Sequence, residues 1–207
     1  DRPGIMLANS VSKYLNGYGV NLGKNAVIFT NNDSAYQTAI DFHNHNINVA
    51  AIVDVRKNLE GDLPTKVKNL GIKIHTGSII SNTTGRKKIQ TVHIKKINQE
   101  NIEILNCDLL CMSGGWSPTV HLFTQSRGKL KFREEDSCFI PNQPFQDTLS
   151  IGSCNGVFDL NSILSETYNS VNNFLNTEEK SSFDGEIFES KLTKNGNQEN
   201  AWLVDKD

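Results

Sequence analysis

Residues 26–35, Ala-Val-Ile-Phe-Thr-Asn-Asn-Asp-Ser-Ala, constrain the fold more than any other stretch of the chain. An apolar run enters a polar, turn-forming loop, and Ala35, Ala39, Ile40 and Phe42 then recur at helical spacing. A second apolar run over residues 49–55 carries Asp54, 24 residues beyond Thr30. Apolar runs without alternation mark strands covered on both faces, the habit of parallel sheets. Strand, turn, helix, strand and a terminal acid at this spacing form the skeleton of a dinucleotide-binding βαβ unit. The glycines of such a loop are replaced here: Thr30-Asn31-Asn32-Asp33-Ser34-Ala35 stands where G-x-G-x-x-G is expected.

The flanking sequence extends the unit. Leu7, Val11, Tyr14 and Leu15 predict an amphipathic helix over residues 5–18. Asp33 or Ser34 is placed to cap the next helix, which runs to about His45. Residues 62–70 predict a short helix stopped by Gly71, and residues 72–75 a third strand. Alternation over residues 89–97 and 102–105, joined by polar residues 98–101, predicts an antiparallel hairpin. Residues 109–112 are a further buried strand, ending at Ser113-Gly114-Gly115-Trp116-Ser117-Pro118. Residues 117–176 read as a different unit, with strands near 139–140 and 149–151, a turn at Gly152-Ser153-Cys154-Asn155-Gly156, and a helix over 161–175.

The expected class is therefore α/β: an FAD/NAD(P)-binding, two-dinucleotide-binding flavoprotein fold. It comprises a Rossmann-like three-layer domain with a β-meander crossover and part of a second such domain. Residues 1–22 are read as an N-terminal helix of an outer domain and 23–116 as an inserted NAD(P)-binding-like domain. Residues 117–176 are the returning segment of the outer domain, and 177–207 a polar linker or tail.

Other chemistries find little support. Lys and Arg number 21 against 23 Asp and Glu, a net charge of −2, and the basic residues form no stripe, which argues against nucleic-acid binding. Cys107, Cys111, Cys138 and Cys154 contain no CxxC pair and read as structural thiols of a reducing compartment. His43, His45, His75, His93 and His121 lack metal-ligand spacing. With no G-x-S-x-G elbow and no placed acid pair, neither a catalytic residue nor a metal ligand is assigned. There is no 18-residue apolar run or signal-like segment, so a cytoplasmic location without a membrane partner is expected. The chain opens on Asp1 without a methionine and ends in a polar stretch, the expectation for a piece of something longer.

Candidate cofactor contacts begin with Thr30, Asn31 and Asn32. Either the loop keeps an altered nucleotide contact through its amides and hydroxyls, or it is rebuilt as turn and helix cap, with Asp33 adding a charge unfavourable to a pyrophosphate. Asp54 is the usual acceptor for a ribose diol, a role that disfavours a 2′-phosphate although Arg56 nearby weakens the discrimination; alternatively it is a solvated strand end. Gly114 permits close passage of a cofactor or merely the crossover out of the domain.

Several stretches resemble the alpha subunit of heterotetrameric sarcosine oxidase: Asp1-Arg2-Pro3-Gly4-Ile5-Met6-Leu7-Ala8, Phe29-Thr30-Asn31-Asn32-Asp33-Ser34-Ala35-Tyr36, and Ser113-Gly114-Gly115-Trp116-Ser117-Pro118-Thr119-Val120-His121-Leu122-Phe123. The similarity continues through Gln125-Ser126-Arg127-Gly128-Lys129-Leu130 and Gly152-Ser153-Cys154-Asn155-Gly156-Val157-Phe158-Asp159-Leu160, spanning roughly residues 1–175 in order. The resemblance implies a complex that oxidatively demethylates sarcosine to glycine, giving hydrogen peroxide and formaldehyde or, with tetrahydrofolate, methylene-tetrahydrofolate. It implies FAD, covalent FMN and NAD in the complex, with the flavins held chiefly through the beta subunit and NAD associated with alpha. Beta, gamma and delta subunits are the implied partners.

The resemblance also makes Gly152, Asn155 and Gly156 a candidate place for alpha-bound NAD, against a plain turn and cap before the last helix. The family's first G-x-G-x-x-G unit would precede Asp1 and its folate-handling region would follow, so this chain alone is not expected to oxidise substrate. The rival readings are a non-catalytic scaffold with a degenerate nucleotide pocket, and an alpha subunit of a related amine or amino-acid dehydrogenase.

Overall fold

The apolar runs pair side by side as a parallel sheet. In the computed structural model, which describes residues 2–175, the chain divides into two units at Gly115/Trp116. The first contains β1 (Ile5–Leu7), α1 (Ala8–Tyr18), β2 (Asn25–Thr30), α2 (Ser34–Asn44), β3 (Asn48–Asp54) and α3 (Asp62–Asn69). It continues through β4 (Ile74–Thr76), β5 (Ser78–Thr84), β6 (Thr91–Lys96), β7 (Ile102–Asn106) and β8 (Leu109–Ser113).

Strands β1, β8, β2, β3 and β4 lie in that order, all parallel, while β5, β6 and β7 form a separate antiparallel meander. Successive strand residues point to opposite faces. Ile28 and Ile52 therefore meet α1–α3 through Val11, Tyr36, Phe42 and Val67. Val27, Val53 and Leu110 meet Ile89, Val92 and Ile94 of the meander side. Both faces of the central strands are covered, which explains their lack of polar alternation. The register opposes Thr30 to Asp54 on one side and to Ser113 on the other. The loop after β2 and the ends of β3 and β8 consequently share one edge of the sheet, where open α/β sheets present their ligand crevice.

Several boundaries differ from the sequence reading. Residues 5–7 are a strand, paired with Leu110, Cys111 and Met112, and the helix begins at Ala8. Residues 2–22 thus form β1 and α1 of the first unit, with Val11 and Leu15 in its core, and the chain divides only after Gly115. The third strand is shifted to Ile74–Thr76. Strand β5 had no expectation at all: Ser-Ile-Ile-Ser-Asn-Thr-Thr has weak alternation, and Ser78 is its one buried residue.

The second unit contains α4 (His121–Gln125), β9 (Lys129–Arg133), β10 (Cys138–Gln143), a 3-10 turn at Gly152–Asn155 and α5 (Leu160–Leu175). Strands β9 and β10 form an antiparallel hairpin whose Phe132 and Phe139 rings meet edge-on at 5.2 Å. The strand expected over residues 149–151 does not form; this segment leads unpaired into the 3-10 turn. The linker expected from residue 177 lies outside the described residues. Among those described, no helix is long and apolar enough to cross a membrane.

Candidate functional site

The loop at the crest of the sheet is bonded to itself. Thr30 Oγ1 donates to the Asn32 carbonyl at 2.8 Å and accepts the Asn32 N–H at 3.1 Å. Asn32 Nδ2 donates to Asn31 Oδ1 at 2.8 Å and to Ser113 Oγ at 3.3 Å. Asn32 Oδ1 accepts the Ser34 N–H at 3.0 Å and the Ser34 hydroxyl at 2.5 Å. Asn31 Nδ2 donates to the Gly114 carbonyl at 3.2 Å. Thr30, Asn31, Asn32 and Asp33 are 0%, 7%, 1% and 4% exposed, so these polar groups serve the protein interior. A glycine loop leaves N–H groups of the helix start open to phosphate. Here the Asn32 side chain takes the Ser34 N–H. Asp33 holds the N-cap position of α2 but makes no capping bond, contrary to the expectation for it.

The Asp33 carboxylate turns instead to Arg56, with Oδ1 2.7 Å from Nη2. Arg56 also clasps Asp54. Oδ1 of Asp54 accepts the Arg56 backbone N–H at 2.9 Å and Nε–H at 3.1 Å, and Oδ2 accepts Nη2–H at 2.8 Å. The Tyr36 hydroxyl donates to the same Oδ2 at 2.8 Å. Each oxygen of Asp54 therefore has two donors, and the residue is wholly buried. A ribose diol would find no free acceptor there.

Burial raises the Tyr36 hydroxyl well above its ordinary pKa, and Asp54 raises it further. Burial works to lower that of Arg56, but hydrogen bonds and charge from Asp54 and Asp33 outweigh it and hold the guanidinium ionised. Two acids around one base leave the cluster short of the positive charge that a pyrophosphate needs.

In the second unit the Gly152–Asn155 turn also holds a carboxylate. The Gly152 N–H donates to Glu166 Oε2 and Asn155 Nδ2 to Glu166 Oε1, both at 3.0 Å. Gly156 has φ +79°, and a Cβ there would lie 2.5 Å from Arg133 Nη2 and 3.1 Å from Ile140. Its carbonyl accepts from Arg133 Nη2 at 2.8 Å. Asp159 Oδ2 accepts the Ser162 N–H and hydroxyl, each at 2.8 Å, and so caps α5. Asp159→Ala is expected to cost about 1 kcal/mol in urea denaturation followed by circular dichroism; an unchanged midpoint would show that the cap contributes nothing.

The structure thus gathers Thr30, Asn31, Asn32, Asp54 and Gly114 at one crest, and Gly152, Asn155 and Gly156 in a separate turn. Tyr36, Ser113 and Glu166 complete these clusters, and the sequence gives no direct signal for them. Tyr36 and Glu166 each look like ordinary helix positions, and their partners lie 18 and 11 to 14 residues away.

No protein-family model matches the chain. Over 171 residues, 80% of its length, the chain is 33% identical to sarcosine oxidase subunit alpha of Corynebacterium sp. (strain P-1). It is 32% identical to the same subunit of Corynebacterium sp. (strain U-96) over 171 residues, and of Rhizobium meliloti (strain 1021) over 140 residues. These matches cover 18%, 18% and 14% of the relatives, so the chain spans less than a fifth of their length.

Among solved structures, thioredoxin reductase of Lactococcus lactis superposes with a TM-score of 0.61 at 13% identity, covering 84% of this chain and 57% of that one. Bacillithiol disulfide reductase of Staphylococcus aureus gives 0.53 at 14% identity, covering 68% and 45%. Thioredoxin reductase of T. acidophilum gives 0.51 at 14% identity, covering 82% and 58%. At such identities the likeness concerns the fold, which is the expected α/β fold of FAD/NAD(P)-binding oxidoreductases.

Proposed function

We propose that this chain is part of the alpha subunit of a sarcosine oxidase-type complex, and that its first unit serves there as a nucleotide-fold scaffold. Homology over 171 residues to bacterial alpha subunits supports the first part. In such a complex sarcosine is demethylated oxidatively to glycine, with formaldehyde or methylene-tetrahydrofolate and hydrogen peroxide as the other products. The amine-oxidising site would belong to the beta subunit, and the contribution of this chain would be assembly with beta, gamma and delta subunits.

One observation carries the scaffold reading: both oxygens of Asp54 are filled by Arg56 and Tyr36 inside the protein. The residues at the crest do not fit the ribose and pyrophosphate of NAD, because Arg56 and Tyr36 already fill the acceptors of Asp54 and Asp33 adds a second negative charge. The Gly152–Asn155 turn fits a phosphate no better while Glu166 occupies its donors.

Two measurements test the two parts separately. Calorimetric titration of the full chain with NAD should give no saturable heat up to about 1 mM, a weak-binding limit near 4 kcal/mol. Saturable binding that disappears in Asp54→Asn, with the fold retained, would overturn the scaffold reading and leave the family reading untouched. Affinity purification of the tagged full chain from its own cells should recover a flavin-containing beta-type subunit. Recovery of an unrelated flavoprotein assembly in its place would overturn the family reading.

A further inference from the structure

Among the described residues the second unit has little apolar core of its own: Cys138 and Ile140 are its buried hydrophobic side chains. Its longest element, α5, has 16 residues, and none of them is buried. One side of the helix rests on the 3-10 turn. Glu166 accepts from the Gly152 N–H and the Asn155 amide, and a Cβ on Gly152 would lie 3.1 Å from Ile163. The neighbouring side carries Leu160, Leu164, Val171, Phe174 and Leu175, exposed from 37% at Leu164 to 78% at Phe174. A contiguous apolar face left in water marks an interaction site.

The width and chemistry of this face select what covers it. At helical pitch Phe174 and Leu175 mark its two edges, about 100° apart, with Leu160, Leu164 and Val171 between them. A face that wide belongs to a helix lying on a core and is broader than the seam by which two helices pair, which argues against a second copy of α5. The polar side, with Ser165, Asn169 and Asn173, carries no lysine or arginine, which argues against a lipid surface. In an α/β fold such a helix covers a sheet. Sixteen residues of helix run about 24 Å, roughly the span of a seven-residue strand. Among the described residues the second unit's own sheet is the two-stranded β9–β10 hairpin. The matched proteins have further chain to supply a larger one. The Lactococcus lactis reductase match takes 84% of this chain but 57% of that one, and the Corynebacterium alpha-subunit matches take 18% of the relatives.

We propose that the α5 face lined by Leu160, Leu164, Val171 and Phe174 docks on the apolar face of a parallel β-sheet. That sheet belongs to the part of the subunit outside these 207 residues, so the proposal rests on the family reading above. The test uses the complex recovered on the tagged chain from its own cells. A photo-crosslinking residue, p-benzoylphenylalanine, replaces Val171 or, as a control, Asn169 on the opposite side of the helix. Hydrogen exchange of residues 164–175 is followed in the same complex and in the 207-residue chain alone.

Val171 should crosslink to a continuous apolar peptide of the subunit outside residues 1–207, the pattern of a covered strand, and Asn169 to none. Docking should slow exchange in α5 at least about tenfold relative to the chain alone. Val171→Asp should abolish that slowing and Asn169→Asp should preserve it, with circular dichroism unchanged in both. Crosslinks from Val171 to this chain's own residues, to a second copy or to another subunit would overturn the proposal. So would equal exchange in the complex and in the chain alone. Either result, in a complex that still holds the flavin-containing beta-type subunit, leaves the family reading standing. Recovery of an unrelated assembly removes both.

Discussion

Arg56→Leu is expected to destabilise the first unit by about 3–5 kcal/mol, the usual cost of removing one partner from a buried ion pair. Arg56 is 3% exposed and stands between Asp33 and Asp54, themselves 4% and 0% exposed. Leucine would leave two carboxylates facing each other across an apolar side chain, with the Tyr36 hydroxyl as the remaining side-chain contact to Asp54. Urea denaturation of the full chain measures the loss. Arg56→Lys should recover part of it, because an ammonium restores the charge but not the forked contact through Nε and Nη2. Adding Asp33→Asn to Arg56→Leu should recover part as well, by removing one uncompensated charge. A loss below about 1 kcal/mol for Arg56→Leu, the range of an exposed pair, would mean that water reaches the carboxylates and the crest is open.

Gly4→Ala is expected to cost about 2–5 kcal/mol, combining left-handed strain of 1–2 with overpacking of 1–3. Gly4 has φ +95°, and a Cβ on it would lie 2.6 Å from Ile89 Cγ2 and 2.9 Å from the Asp108 carbonyl. The chain is fixed on both sides at this point. The Gly4 carbonyl accepts the Leu110 N–H at 2.7 Å, and the Pro3 carbonyl accepts the Ile89 N–H at 2.9 Å. Backbone cannot retreat from the methyl without breaking the β1–β8 pairing or the joint to the meander. Thermal unfolding monitored at the far-ultraviolet helix signal reads the effect. Gly19→Ala is the comparison: φ is +65° there and a methyl group would have no neighbour within 4 Å, so strain acts without the clash and the loss should be visibly smaller.

The parts of this fold that sequence reveals are those with a long, unambiguous period. The β2–α2–β3 run is plain because two covered strands and a helix of 11 residues each repeat their pattern several times. Strand β1 offers three residues, too few for any period, and it abuts a helix whose apolar spacing absorbs it. Strand β5 is held by pairing with β6 rather than by burial, so its composition carries little signal.

The candidate site divides in the same way. Asp54 is recognisable as a strand-end acid, and the asparagines at 31 and 32 as departures from glycine. Whether that acid faces a ligand or a neighbour depends on where Arg56 and Tyr36 point, which spacing does not encode. Asp33 misleads for the same reason: its position is that of a cap, while its carboxylate is drawn to a guanidinium more than 20 residues away in sequence.

The hold of Glu166 on the Gly152–Asn155 turn has a kinetic and competitive side. A carboxylate tethered within the same unit is a resident competitor, present at a concentration that dilution never lowers. At about 1.5 kcal/mol for each of its two charged hydrogen bonds, the turn would stand vacant on the order of one part in a hundred of the time. An incoming phosphate would then bind about a hundredfold more weakly than the bare backbone geometry suggests. Glu166→Ala is the substitution that would lift this handicap, because glutamine would keep one acceptor oxygen for the Gly152 N–H or the Asn155 amide, and it makes the turn's intrinsic appetite for anions directly measurable.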